Sequence, residues 1–257
     1  MKRLRLVNNN PLYTHLSTSP AFTRGLIPLY SFPSFLLKNI LALLAIFACI
    51  SVFAQQNNEQ SADYKKVVTE RSAKIVNVLG ITDSGKYDKV LNEIVNQYTS
   101  LNTVHEQNKA AIAEIKKQSL PKEAADEAIK KEEEKKSLKL LQLHEAFIAH
   151  LKESLSAEEL EKVKDGMTYR VFPITYAAFL DMVPTLTSEQ KEKIYGWLKE
   201  ARELAMDEGS SEKKHAVFGK YKGRINNYLS AEGYDMKKEG EEWQKRIKEK
   251  QAKEKPN

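Results

Sequence analysis

Between Val90 and Ile115 the apolar residues Val90, Leu91, Ile94, Tyr98, Leu101, Ile112 and Ile115 return at the 3.6-residue period of a helix, with His105 in the same stripe. A run of about 30 residues at 1.5 Å per residue is roughly 45 Å long. It follows Thr82-Asp83 and ends at Ser119-Leu-Pro121. Proline has no N–H to continue a helix but suits the first turn of the next one. The next segment carries a charged outer stretch around Lys130 to Lys136, then Leu140, Leu143, His144, Phe147 and Leu151. This spacing predicts two long antiparallel helices meeting at Pro121.

The rest of the chain reads as shorter helices. Tyr64, Val67, Val68, Arg71, Ile75, Val78 and Leu79 share one helical face, and Gly80 is placed to end it. Leu155-Ser-Ala-Glu-Glu159 and Leu186-Thr-Ser-Glu-Gln190 are capping boxes, with Ser156 or Thr187 at the N-cap and Glu159 or Gln190 reaching back. The apolar, aromatic stretch Gly166–Pro184 is expected to form an irregular link and a short buried helix that packs under the bundle. Helices near 188–206 and 212–231 follow. No segment shows sustained strand alternation. The fold class is all-α, a helical bundle with a long antiparallel pair and a C-terminal set of shorter helices.

Ile40 to Ala54 is a short apolar run with Lys38 before it and Gln55-Gln56 after it, the pattern of a secretory signal peptide. Val52 and Ala54 occupy the positions a signal peptidase reads, which places cleavage after Ala54. A membrane-spanning helix needs about 20 apolar residues, so this segment contacts the membrane only before cleavage. Cys49 raises a lipoprotein alternative, but Phe47 is bulky for a lipobox and Ile50–Ala54 is apolar where polar residues are expected. Residues 1–39 are long for a signal n-region, and Leu37 would make an ordinary start. The expected organisation is a cleaved leader over 1–54, one helical domain over 55–235, and a charged helix or tail over 236–257. The destination is periplasmic or extracellular.

Cleavage changes the charge balance. The whole chain has 257 residues and a net charge of +6, but the leader holds Lys2, Arg3, Arg5, Arg24 and Lys38 and no acid. Removing those five from 41 Lys and Arg leaves 36 against 35 Asp and Glu. A chain so nearly neutral, with its signs interspersed, offers no electrostatic footprint for nucleic acid. It also has no cysteine, since Cys49 is the only one, so its stability rests on a packed core. About 200 residues suffice for that.

Catalytic and metal signatures fail on geometry. His144-Glu145 with His150 is not a zinc motif, because two ligands must lie four apart on one helical face. Six residues place them about 240° apart. His144 is expected at the core edge, His150 in solvent and His105 hydrogen-bonded within the stripe. No nucleophile elbow, phosphate loop or dinucleotide fingerprint is present, so no cofactor, metal or catalytic residue is assigned.

The segment from Asp207 to Asp235 is different in kind. His, Arg, Asn-Asn, three Tyr and four Gly crowd together there. Phe218, Ile225 and Leu229 form a core stripe, while Gly219 and Gly223 point to a close helix contact, since glycine in a helix costs about 1 kcal/mol against alanine. Neutral sugars are held by aromatic faces and by planar amide, carboxylate and guanidinium groups. Tyr169, Arg170, Tyr176, Asp181, His215, Tyr221, Arg224, Asn226, Asn227, Tyr228 and Asp235 supply that chemistry. The same groups also suit helix caps and ties between elements, and the sequence leaves both readings open.

Lys164-Asp-Gly-Met-Thr-Tyr169, Leu180-Asp-Met-Val-Pro184, Leu186-Thr-Ser-Glu-Gln-Lys191, Glu200-Ala-Arg-Glu203, Ala205-Met-Asp207 and the run from His215 to Asp235 resemble domain-of-unknown-function family 3826, of secreted Bacteroidota proteins. The likeness covers roughly residues 60–235. Family members are noted only as candidate sugar-binding proteins, so the resemblance implies carbohydrate as partner and carries over no catalytic residue. A weaker resemblance links Leu186-Thr-Ser-Glu-Gln190 to periplasmic chaperones of the Spy type. Three readings follow: an exported, non-enzymatic accessory protein that binds carbohydrate through its C-terminal helices; a periplasmic helical chaperone; and a glycan enzyme using two of Asp165, Asp181, Asp207 and Asp235.

The export reading has a direct check. N-terminal sequencing of the secreted protein is expected to begin at Gln55. Retention of residues 1–39, or a lipid on Cys49, would overturn it.

Overall fold

The leader, its cleavage site and Cys49 lie outside the residues described by the structure, a computed structural model covering 63–254. Among the described residues there are eight helices and no strand. They are α1 (63–77), α2 (Ser84–Lys117), α3 (Lys122–Lys152), α4 (Ala157–Met167), α5 (Val171–Met182), α6 (Ser188–Met206), α7 (Ser211–Ala231) and α8 (Met236–Glu254).

Helices α2 and α3 form the expected antiparallel pair. Lys89 meets Glu153 at 3.1 Å, Glu93 meets His150 at 3.3 Å, and Asn108 donates to the carbonyl of Glu132 at 3.2 Å, so one number rises as the other falls. Asp83 caps α2 by accepting from Lys86 N at 2.6 Å. Pro121 stands at the N-cap of α3, one position earlier than a first-turn proline. Buried side chains stop at Leu101 on α2 and resume at Phe147 on α3. Toward Pro121 the pair therefore carries mainly exposed charge, such as Lys131–Glu127 and Lys130–Glu134. Exposed pairs of that kind are screened by water and add little to stability.

Both expected capping boxes are complete. Ser156 and Glu159 exchange hydrogen bonds at the start of α4, as Thr187 and Gln190 do at α6. Leu155 and Leu186, just before each cap, are buried. The stretch Gly166–Pro184 ends α4, turns through Thr168–Arg170 and forms α5 with Pro173 in its first turn, where an N–H is dispensable. Only Phe172 and Phe179 of α5 are buried, and Ile174 is exposed. The segment lies against α6 with one face, rather than under the bundle.

Two hydrophobic cores result. One gathers Val68, Ile75 and Val76 of α1, Val90, Ile94 and Tyr98 of α2, Phe147 and Leu151 of α3, and Val163 and Met167 of α4. The other gathers Phe172 and Phe179 of α5, Ile194, Leu198 and Ala201 of α6, and Phe218, Ile225 and Leu229 of α7. The expected stripe of α7 is thus fully buried. The apolar face of α1 and the turn after it divides: Val68, Ile75 and Val76 enter the core, while Val67, Arg71 and Val78 stay exposed beside it. Helix α8 docks through Met236 on the second core and through Trp243 and Arg246 on α5.

The glycine expectation needs correction. A Cβ at Gly219 or Gly223 would meet nothing within 4 Å, so neither residue permits a close contact. Close approaches are instead at Gly209, where a Cβ would stand 2.8 Å from His105 Cδ2, and at Gly166, where it would stand 2.9 Å from Ile75 Cγ2 and bring α4 into collision with α1. The reason is orientation: Phe218, Ile225 and Leu229 take the buried face of α7, which leaves both glycines exposed.

Opposite stability effects follow for the two kinds of site. Gly219→Ala and Gly223→Ala are each expected to stabilise by about 0.5–1 kcal/mol, the helix-propensity gain. Gly166→Ala is expected to cost about 1–3 kcal/mol through overpacking against Ile75. Urea titration of the three variants measures both signs.

Candidate functional site

Helix α6 carries a charge in its apolar stripe. Arg202 lies among Leu198, Ala201, Ala205 and Met206, and it is fully buried. Its guanidinium donates to Asp165 at 2.7 Å, to Glu161, and to Glu203 at 3.2 Å, and it sits 5.0 Å from the Phe172 ring. Lys164 donates to Glu203 at 2.8 Å. His144 of α3 joins the same group, with Nδ1 2.9 Å from Asp207 and Nε2 3.5 Å from Glu203. A single ionic network therefore links α3, α4 and α6. His105 donates to the Asp207 carbonyl at 2.8 Å, and His150 is exposed beside Glu93.

The titrations follow from these contacts. Hydrogen bonds to Asp207 and Glu203 raise His144 to about 9. Burial alone would raise Glu203, but its bonds from His144 and Lys164 and the nearby Lys164 and Arg202 charges hold it at about 2. Lys214 of α7 is buried beside Tyr98, with its ammonium donating to the Met206 carbonyl at 2.8 Å. Burial lowers Lys214 to about 8, and the charge of Arg71 pushes in the same direction.

Asp165, held by Arg202, sits one turn before a strained connection. Tyr169 and Arg170 both have φ of +57°, in the left-handed region that non-glycine residues rarely occupy. The Arg170 N–H returns to the Asp165 carbonyl at 2.7 Å, and the Tyr169 ring lies 5.3 Å from that of His215. Two consecutive residues in this region cost of order 1–3 kcal/mol each, and such strain clusters at functional sites.

Beside this turn is a cavity of about 770 Å3. Helix α1 forms one wall with Val67, Glu70, Arg71, Lys74 and Ile75, which recur at three- and four-residue steps and so share a face, and Val78 extends it just past the helix end. The opposite wall is Lys162, Asp165 and Gly166 of α4, followed by Tyr169, Arg170 and Pro173. Arg71 also stands 5.9 Å from the Tyr169 ring and 5.7 Å from that of Tyr98.

The eleven residues singled out in the sequence fall in several places. Tyr169 and Arg170 line the cavity, with His215 against Tyr169. Tyr221, Arg224 and Tyr228 meet on the α6–α7 surface around Trp197. Arg224 lies 4.4 Å from the Trp197 ring, and Lys193 lies 4.4 Å from that of Tyr228. Asn226 and Asn227 are exposed on α7. Tyr176 packs with Phe172 and Tyr195. Asp181 accepts from Trp243 Nε1 at 2.6 Å, and Asp235 accepts from Lys237 N and Lys238 N at the start of α8. Lys74, Lys162, the buried Lys164, Arg202 and Lys214, and the half-buried Glu203 were not among the candidate site residues, and Arg71 was placed only on a helical face. For Arg202 the signal was present, a charge in phase with Leu198, Ala201 and Ala205.

The fold and the cavity define an all-α bundle with one strained, cation-rich cleft between its first described helix and the α4–α5 turn. The chain belongs to the family described as protein of unknown function (DUF3826), whose model matches residues 65–249. The match begins in α1 and ends in α8, so it includes both walls of the cavity and extends beyond Asp235. No curated protein matches the chain.

The ionic network makes stability depend on pH with a definite sign. Folding raises His144 from 6.5 to about 9, so its contribution is complete below 6.5 and lost as pH rises through 9. Folding lowers Glu203 from 4.5 to about 2, so its contribution is present above 4.5 and lost as pH falls through 2. Lys214 acts oppositely to His144: its neutral form is favoured in the fold, which relieves a cost as pH rises from 8 toward 10.5. Denaturation from pH 6 to 9 is therefore expected to show declining stability in the native chain and a flatter profile in His144→Gln.

Proposed function

We propose that this is an exported, non-enzymatic accessory protein that binds carbohydrate, with the glycan seated in the cavity between α1 and the α4–α5 turn. The observation that carries the reading is the left-handed pair Tyr169–Arg170. It holds an aromatic ring and a planar guanidinium at the wall of a cavity of about 770 Å3. Small-molecule sites typically occupy about 300–1,000 Å3, and combine apolar walls with a few fixed polar groups. Val67, Ile75, Val78 and Pro173 supply the apolar part here, and Glu70, Arg71, Lys74 and Arg170 the polar part.

The four aspartates that would serve a glycan enzyme are each engaged elsewhere. Asp165 binds Arg202, Asp207 binds His144, Asp181 binds Trp243, and Asp235 caps α8. A chaperone would present a continuous apolar face. The large exposed apolar residues instead include Val67 and Val78 on α1, Leu138 and Leu141 on α3, Ile174 on α5 and Leu204 on α6. These features support a binding module over both rivals.

Tyr169→Gly separates binding from folding, because glycine removes the ring while accepting φ of +57° without strain. Glycan-array binding of the native chain, followed by titration of each hit, is expected to show an affinity loss of about tenfold or more in Tyr169→Gly, or roughly 1.4 kcal/mol. Its melting temperature is expected to hold or rise. Binding that survives Tyr169→Gly would remove the cavity from the proposal.

A further inference from the structure

Resting on the carbohydrate reading, we infer that the glycan is acidic: the cavity selects a uronate residue, its carboxylate held by Arg71, Lys74 and Arg170 and its ring set against the apolar wall. The charges that face the cavity are unequal in what they already bind. Lys162 pairs with Glu158 at 2.7 Å, and Asp165 is taken by the buried Arg202 at 2.7 Å. Among the described residues Arg71, Lys74 and Arg170 form no ion pair, while Glu70 is the one cavity carboxylate without such a partner. Three cations therefore face one free carboxylate across a single cleft.

All three are exposed at the cleft and open to an incoming ligand. The charge of Arg71 also reaches inward: it is among the groups that hold down Lys214, which is buried behind Tyr98. An anion in the cleft would pair with these cations, and a guanidinium offers a carboxylate two parallel hydrogen bonds. A bare inorganic anion would leave Val67, Val78 and Pro173 unused. A sugar ring bearing one carboxylate uses both walls. Glu70 keeps the cleft from being uniformly positive, which disfavours densely sulfated chains.

The mature chain is titrated with oligogalacturonate, oligoglucuronate and alginate oligomers, each paired with the same oligomer after its carboxylates are reduced to alcohols. Neutral and sulfated neutral oligosaccharides, acetate and sulfate complete the set. At least one uronate oligomer is expected to bind, with its reduced form at least about tenfold weaker, as charge-assisted hydrogen bonds imply. Lys74→Gln and Arg170→Gln should each weaken the uronate by about tenfold and leave the reduced oligomer and the melting temperature unchanged. Added salt should weaken only the uronate. Equal binding of reduced and native oligomers, or preference for a neutral or sulfated neutral glycan, defeats the acidic inference and leaves the carbohydrate reading standing. Acetate or sulfate binding as well as any oligomer makes this a simple anion site and defeats both. No glycan binding at all also defeats both.

Discussion

A guanidinium sealed inside a helical bundle is the constraint on which this architecture turns. Arg202 has almost no contact with solvent, and water is replaced by the carboxylates of Glu161, Asp165 and Glu203 and the ring of Phe172. Taking a charge out of water costs several kcal/mol even after relaxation, and removing one partner of such a buried group typically costs about 3–5 kcal/mol. Glu161 and Asp165 are one turn apart on α4, so α6 can meet α4 only in the register that delivers both to one side chain. Apolar packing alone would tolerate sliding. Lys164 and His144 extend the requirement to Glu203 and Asp207, and so bring in α3.

That register fixes the end of α4, and with it the turn that forms the cavity. Gly166 lets α4 approach Ile75 of α1, and three residues later the chain passes through two left-handed residues. Glycine at either position would remove that residue's strain, as it does at Gly80, where φ is +69° in the turn after α1. The chain instead places there the two side chains with the most to offer a ligand. Packing on both sides holds the turn: Asp165 is fixed by Arg202, and Phe172 is buried in the second core.

Much of the fold could be read from periodicity and caps, because those signals are local. The α2–α3 pair, both capping boxes and the Phe218–Ile225–Leu229 stripe depend on residues within a turn or two of each other. The site was less legible, since it joins positions far apart. Arg71 and Val78 look like members of one apolar face on α1, and only the width of the core decides that they border a cavity. Gly219 and Gly223 carry the sequence mark of a close contact, but the packing partner stands on the opposite side of α7. Tyr169 and Arg170 were identified by their chemistry, while their left-handed backbone has no signature in residue type.

The near-neutral composition of residues 55–257 conceals a locally polarised surface, and the buried network is the reason. Asp165 borders the cavity, where its negative charge would otherwise offset one of the cations on the α1 wall. Arg202 engages that carboxylate from inside the protein at 2.7 Å. Lys164, equally close in sequence, is turned away to Glu203. The positive character of the cleft is therefore not a count of its lining residues. It arises because the core takes up the carboxylate nearest to the turn and leaves Arg71, Lys74 and Arg170 to face the open space. Fold and site are coupled through one side chain: the guanidinium that sets the register of α4 on α6 also determines what charge the cavity can receive.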